Sequence, residues 1–355
     1  MKIALITDTH FGARGDSPAF NEYFFKFWEN IFFPYIEKHG ITTVVHLGDV
    51  VDRRRFINFV TLSNLRRRFI SRLKAMNVEL HVIVGNHDVP YRNTNDINAI
   101  AELFSAHDNI KIYSNPEEVL FDKTLVAFIP WINNTNLPDT IKFIEKCKST
   151  VCFGHFELAG FEMDRGVVCQ DGLDKRIFNK FDMTLTGHFH HPSTDGFITY
   201  LGNTYEMTWA DYADARGFHI LDTDTLDLEF IQNPYHMFHK IVYDDSSETL
   251  DSITNKNYEQ YTGVIVKVVV ASKANPVLYD LFLDNLYKAL PLEVSIVEDF
   301  TEYREVSDED ILDQSDDTST ILNKYIDNLE IDLDKEKLKS YMKDIYNQAH
   351  NLEST

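Results

Sequence analysis

Several things are missing from this chain of 355 residues. It has no run of 18 apolar residues, so no membrane-spanning helix is expected. The N-terminus, MKIALITDTH, reaches Asp8 after a short apolar stretch and lacks the longer apolar region and small-residue cleavage site of a secretory leader. Cysteine is scarce. Cys147, Cys152 and Cys169 are odd in number and form no CxxC pair, which points to reduced thiols in a cytoplasmic protein. No glycine is followed by lysine, so there is no Walker A phosphate loop. Positive charge is in deficit: 34 Lys and Arg stand against 56 Asp and Glu, a net charge of −22. On that count alone, nucleic-acid binding is disfavoured. What remains, 44% hydrophobic and 25% charged residues, is ordinary for a globular protein.

The distribution of charge qualifies the count. From Ser295 to Thr355 there are 17 acidic and 6 basic residues, so half of the deficit lies in the last 61 positions. Elsewhere basic residues gather at Arg53, Arg54, Arg55, Arg66, Arg67, Arg68 and Arg72. Such a run is either a solvated helix face or a contact for DNA. Its place directly after a cluster of carboxylates favours the second reading for Arg53, Arg54 and Arg55.

Hydrophobic periodicity gives the organisation. KIALITD, TTVVHLGDVVD and VELHVIVGNHD are short apolar runs that end in polar residues, as buried strands do. Between them lie helical patterns: an aromatic stripe at Phe20, Phe24, Phe27, Trp28 and Ile31, and the segment NFVTLSNLRRRFISRLKAM. Strands alternating with helices predict βαβ units and a largely parallel sheet, with ligands bound beyond the strands' carboxyl ends. STVCFGHFE and FDMTLTGHFHH read as two further strands, and ITYLGN and RGFHILDTDTLDLEFI as antiparallel strands at the sheet's far side. Past Pro234 the pattern changes. The domain boundaries expected are 1–237 for the main domain, 238–301 for a small α+β module with one strand, one helix and a last strand, 302–318 for an acidic linker, and 319–355 for two amphipathic helices.

Polar clusters recur at the ends of five predicted strands: DTH (8–10), GDVVD (48–52), GNHD (85–88), GH (154–155) and GHFH (187–190). One alone is noise, because a single strand-end histidine is more often structural. Five at one sheet edge are hard to reach by chance. The glycines among them let the backbone turn sharply, so that side chains converge. Their oxygen and imidazole donors, with no cysteine, suit Mn²⁺, Fe²⁺ or Zn²⁺. Asp8, His10, Asp49, Asn86, His155, His188 and His190 are too many for one ion; with a shared carboxylate they make two sites of four. Two metals about 3.5–4 Å apart are the device that clamps both oxygens of an in-line phosphoryl displacement. His191 adjoins this set without a place in it and is read as structural.

The ordered set DxH…GDxxD…GNHD…GH…GHxH resembles the calcineurin-like metallophosphoesterase superfamily over residues 1–235. VGNHD, the IPW of Ile129–Trp131, GHFEL at Gly154–Leu158 and RGF at Arg216–Phe218 are similar to the SbcD-type nuclease subunit of double-strand-break repair, especially its tailed-phage recombination counterparts. That resemblance implies an α/β fold, a metallophosphoesterase β-sandwich flanked by helices, with a small α+β capping domain for DNA recognition and C-terminal helices. It implies metal one on Asp8, His10, Asp49 and His190, and metal two on Asp49, Asn86, His155 and His188, with Asp49 bridging. His87 would contact the scissile phosphate and help protonate the leaving oxygen, and Asp88 would orient His87 through a hydrogen bond. Asp52 stands where the cellular nucleases usually have a histidine.

The implied activity is a Mn²⁺-dependent DNA nuclease (Mg²⁺, Fe²⁺ and Zn²⁺ being other candidates), 3′→5′ on duplex ends and endonucleolytic on single strands. The implied partners are DNA, a separate SbcC-like ABC-type ATPase docked on the tail helices, and a second copy of the chain. Its place would be the cytoplasm, the host's if it is phage-encoded. The segments at 53–72 and 96–104 occupy the family's dimer positions. The alternative is a phosphoesterase for small substrates or phosphoproteins on the same metal core.

Overall fold

Short apolar runs bounded by polar clusters do become strands. A computed structural model describes residues 1–298 apart from Ser247, together with Lys335, Lys337 and Lys339, which are helical. The acidic linker expected at 302–318, and all but those three lysines of the tail segment 319–355, lie outside the described residues.

In chain order, β1 (Lys2–Ile6), β2 (Thr43–His46), β3 (Glu79–Ile83) and β4 (Ile110–Tyr113) are parallel neighbours joined by helical crossovers. β5 (Glu117–Phe121) and β6 (Thr124–Ile129) form a hairpin, and β7 (Val151–His155) returns parallel to β6. A small hairpin follows, β8 (Glu162–Asp164) with β9 (Val167–Val168). Then come β10 (Met183–Gly187), β11 (Ser193–Thr194), β12 (Ile198–Tyr200), β13 (Gly217–Asp222) and β14 (Leu228–Gln232). Two six-stranded sheets result, in the orders β14-β13-β1-β2-β3-β4 and β11-β12-β10-β7-β6-β5.

Side-chain alternation builds the layers. Ile3, Leu5, Val45 and Ile83 of the first sheet meet Val126, Phe128, Val151, Phe153 and Leu185 of the second in the sandwich interior. The opposite face of the first sheet, with Ala4, Ile6, Val44 and Val82, packs under the aromatic stripe of the helix that begins at Pro18 and under Phe69. The outer face of the second sheet, with Ala127, Ile129 and Cys152, packs with Ile144, Phe178 and Phe181. The expected sandwich flanked by helices is the observed one.

RGFHILDTDTLDLEFI forms the expected antiparallel pair, β13 with β14, at the edge of the first sheet, but ITYLGN does not join it. ITYLGN lies in the second sheet, where β12 runs parallel to β10, while β13 joins the first sheet antiparallel to β1. The later module has one strand and one helix more than expected. β15 (Phe238–Asp244), β16 (Ile265–Ser272) and β17 (Glu293–Val297) form a parallel sheet, connected by helices at Leu250–Asn255 and Pro276–Lys288. It has its own core of Ile241, Val266, Val268, Phe282 and Leu286, yet Met237, Phe238 and Ile265 belong to the core under the first sheet. Among the described residues no helix is long and apolar enough to cross a membrane.

Candidate metal centre

The five clusters sit at the carboxyl ends of β1, β2, β3, β7 and β10, which are parallel strands drawn from both sheets. Local backbone geometry aims them. Four of the seven expected donors have left-handed backbones: Asp8 (φ 50°), His10 (φ 40°), Asp49 (φ 57°) and His188 (φ 92°). This conformation costs energy in non-glycine residues, and such strain gathers at functional sites. Gly85 serves a different purpose from the bend that the sequence suggested. A Cβ there would overlap the Asp49 carboxylate, so glycine is needed for space, not for φ. Gly187 likewise leaves room for Thr7 and Asp8.

All seven donors converge, in two groups. In one, His190 Nε2 lies 3.2 Å from His10 Nε2, and both lie 3.9 Å from Asp8 Oδ1. In the other, His155 Nε2 lies 3.3 Å from Asp49 Oδ2. One end of the Asn86 amide is 2.9 Å from both His155 Nε2 and His188 Nδ1. Asp49 stands between the groups, its Oδ2 also 3.7 Å from His10 Nε2. Candidate metal-holding triads are Asp8/His10/His190, Asp49/His155/His188 and His10/Asp49/His87.

The electrostatics favour a cation. His155 donates its Nδ1–H to the Leu47 carbonyl at 2.8 Å, which turns Nε2 toward Asp49 and Asn86. Despite burial, His155 and His87 hold the Asp49 carboxyl well below its usual range. Burial lowers His155, but Asp49 overrides it and lifts the imidazole to about 9, so this pocket collects positive charge. Burial, helped by His155, lowers His188 to about 3, and burial keeps His10 well below its usual value. Neutral imidazoles are the form that ligates metal. Asn86 fits the same picture. With its nitrogen inward it donates to Asp49, His155 and His188, and its oxygen meets Arg54 Nη2 at 3.0 Å. With its oxygen inward, and with a divalent ion in place of the proton that His155 otherwise keeps on Nε2, Asn86, Asp49, His155 and His188 would present four lone pairs to the ion.

The residue profile of calcineurin-like phosphoesterases matches positions 1–212. The chain belongs to this family. It is 29% identical over 352 residues to "Exonuclease subunit 1" of enterobacteria phage T4, covering 98% of this chain and 99% of that one. It is 21% identical over 312 residues to "DNA double-strand break repair protein Mre11" of Methanococcus maripaludis, covering 82% of this chain and 81% of that one. With the protein of the same name from Methanosarcina acetivorans it shares 27% over 239 residues, covering 62% of this chain and 36% of that one. Membership makes this calcineurin-like phosphoesterase a metal-dependent hydrolase of phosphoesters, and its hard-oxygen and imidazole donors suit that chemistry.

The expected orienting contact between Asp88 and His87 is not there. The Asp88 carboxylate accepts the backbone N–H groups of Asp49, Val50, Val51 and Gly85, at 2.9, 2.9, 3.2 and 2.9 Å. A buried carboxylate one residue beyond a histidine gives its lone pairs to the nearest orphan amides, and here these are the strand-exit turns. His87 is oriented instead by its Nδ1–H, which donates to the Asp52 carbonyl at 2.6 Å. Its Nε2 is buried with no hydrogen-bond partner.

Asp52 had no assigned role in the sequence. Its carbonyl holds His87, and its carboxylate lies 3.6 Å from His10 Nδ1, close to that ring but outside hydrogen-bond reach. His46 also escaped notice. It bonds Thr9 Oγ1 through Nε2 at 2.9 Å and accepts the Gly48 N–H at 3.2 Å, bracing two of the turns. Its signal was a polar residue in an otherwise apolar strand. His191 is tied at 2.6 Å to Asp214, away from the donor groups.

Of the basic residues, Arg54 reaches the Asn86 amide. Arg53 pairs with Asp16 at 2.9 Å and lies over the Phe56 ring, and Arg55 is exposed. Arg68 is engaged by Glu22, Glu29 and the face of Phe25, and Arg72 covers Phe33. These two are packing residues with charged ends.

Proposed function

We propose that this phosphoesterase is a DNA nuclease of the SbcD type, cutting 3′→5′ from duplex ends and endonucleolytically in single strands. What carries the reading is the alignment with the phage exonuclease subunit. It runs the length of both chains, through the module at 238–297 that a bare phosphoesterase core does not require. Asp8, His10, Asp49 and His190 would hold one divalent ion, and Asp49, Asn86, His155 and His188 the other, with Mn²⁺ the expected metal. Bound there, the pair supplies Lewis acidity and charge neutralisation for in-line displacement at phosphorus.

The chain's own residues do the rest. His155 is held in ligating orientation by the Leu47 carbonyl, and the Asp52 carboxylate lies 3.6 Å from His10 Nδ1. His87, with Nδ1 fixed on the Asp52 carbonyl, presents Nε2 to exchange a proton with the departing oxygen. Arg54, beside Asn86, offers a positive charge to a phosphate at the site, with Arg53 and Arg55 next to it along the strand exit.

Two further elements of the proposal rest on surface and tail. Phe56, Phe59 and Val60 are 63%, 86% and 69% exposed, an apolar face that a second copy of the chain would cover. Arg66 donates to the Leu103 carbonyl, so the helix at 99–104 adjoins the helix that carries this face. The segment 319–355 would dock an ABC-type ATPase, and the assembly would act in the cytoplasm of the cell or infected host. The test is incubation of purified protein and Mn²⁺ with end-labelled duplex DNA and, separately, with bis-p-nitrophenyl phosphate. Ladder products from DNA that disappear with EDTA are expected. Turnover of the small ester with intact DNA would overturn the nuclease reading.

A further inference from the structure

Beside the donor groups lies a cavity of about 260 Å³. Its walls include Arg92, Trp131, Asn134, Glu157, Asp171 and Leu173. Trp131 is the residue that joins cavity and centre. Its ring lies 5.1 Å from the ring of His188 and 6.1 Å from that of His155, centroid to centroid. Glu157 forms the next wall, its carboxylate 4.0 Å from His188 Nε2.

The tryptophan is fixed in place. Its backbone N–H donates to the Val84 carbonyl at 2.9 Å. Its carbonyl accepts the side-chain amides of Asn95 at 2.8 Å and Asn136 at 3.0 Å. A large ring pinned through its backbone on both sides, half-buried and opening on a cavity, is a preorganised platform.

We propose that this cavity is the subsite for a single unstacked nucleobase, the base of the nucleotide whose phosphate lies at the metal centre. This rests on the nuclease reading above. The volume falls below that of pockets for drug-sized ligands, about 300–1,000 Å³, so it takes one flat ring system and not a base pair. Trp131 supplies a stacking face, and Leu173 an apolar wall. Arg92 stands in the same walls as Glu157 and Asp171, so the lining holds donors as well as acceptors, the mixed polar character that the edge of a base presents. It follows that the substrate strand must give up the stacking of one base before cleavage, which frayed ends and single strands do most readily.

The test uses the full-length protein with Mg²⁺ and reads binding as well as activity. Titration with dAMP should quench tryptophan emission saturably, and deoxyribose 5-phosphate should not. Because the chain has three tryptophans, Trp28, Trp131 and Trp209, the Trp131→Phe variant assigns the signal: it should lose the quench. On labelled single strands, Trp131→Ala should raise KM about tenfold, the loss expected for one stacked base, with kcat little changed. On the same strand with an abasic residue at the terminal position, wild type and Trp131→Ala should match.

Quenching that persists in Trp131→Phe would overturn the subsite, and so would an equal KM rise on abasic and normal ends. If the wild type is quenched by dAMP, loses that quench in Trp131→Phe, and still leaves DNA uncut, the subsite stands and the nuclease reading falls. If Trp131→Ala does not fold, the Trp131→Phe binding result alone decides.

Discussion

At the scale of single residues, the four positions Gly85, Asn86, His87 and Asp88 divide the work by what each atom can reach. Asp88 is the one whose work differs from its expected orienting role. Burial and the nearby Asp49 charge push its carboxyl up to about 7, while four amide donors pull the other way. It ties the turn after β2 to the turn after β3. Asp88→Asn replaces one acceptor oxygen by a donor facing amides, and each buried amide left unpaired costs about 1–3 kcal/mol. Each oxygen takes two amides, so we expect about 2–6 kcal/mol of lost stability in denaturant unfolding, together with loss of metal binding by calorimetry. A variant as stable as wild type with only turnover impaired would restore Asp88 to the role of His87's orienter. Its neighbours should separate cleanly. Asn86→Ala should lose metal. His87→Ala should keep metal yet lose about 10²–10⁴ in rate, the usual worth of a positioned proton donor. Metal analysis showing equal loss in both would merge the two roles.

At the scale of elements, what was legible is what the chain encodes locally. Apolar runs ending in Asp, Asn or His gave the strand ends, and these ends are where the seven donors meet. What was illegible depends on through-space pairing. No local pattern tells β12 to join the second sheet and run parallel to β10, away from β13. β15 was overlooked because FHKIVYD mixes His239, Lys240 and Asp244 into its apolar residues; Lys240 stands beside Lys267 of β16 in the register. Asp52 was unreadable for the same reason, since half of its work is done by a backbone carbonyl. The helix that starts at Phe59 poses the reverse case: a sequence that read as basic presents exposed Phe59 and Val60 at its first turn, while Arg68 folds back on Phe25. Phe59→Glu places a charge on the proposed two-fold contact. Sedimentation should then show a monomer where wild type is a dimer, while hydrolysis of bis-p-nitrophenyl phosphate stays within about twofold. An unchanged sedimentation coefficient would remove this face from the dimer.

At the scale of the whole molecule, a net charge of −22 has to be reconciled with the polyanionic substrate proposed above. Segregation does this. Half of the deficit lies in residues 295–355, while Arg54, between Arg53 and Arg55 on the strand exit, reaches Asn86 of the candidate centre. Attraction is then local and short-ranged, screened beyond about 8 Å at physiological salt. Each arginine that meets a phosphate releases counterions and adds about −0.9 to the slope of log K against log salt on duplex DNA. The three should not contribute alike. Arg55 is exposed, so Arg55→Ala should flatten the slope by about one. Arg53 must first give up its 2.9 Å pair with Asp16, and that competition cancels part of its gain, so Arg53→Ala should flatten it by less. Fluorescence anisotropy of a labelled duplex between about 50 and 200 mM salt, with Ca²⁺ in place of Mn²⁺ to suppress cleavage, measures both slopes. Equal slopes for wild type and Arg55→Ala would move the DNA path away from this strand exit and leave the module at 238–297 to carry the backbone contacts.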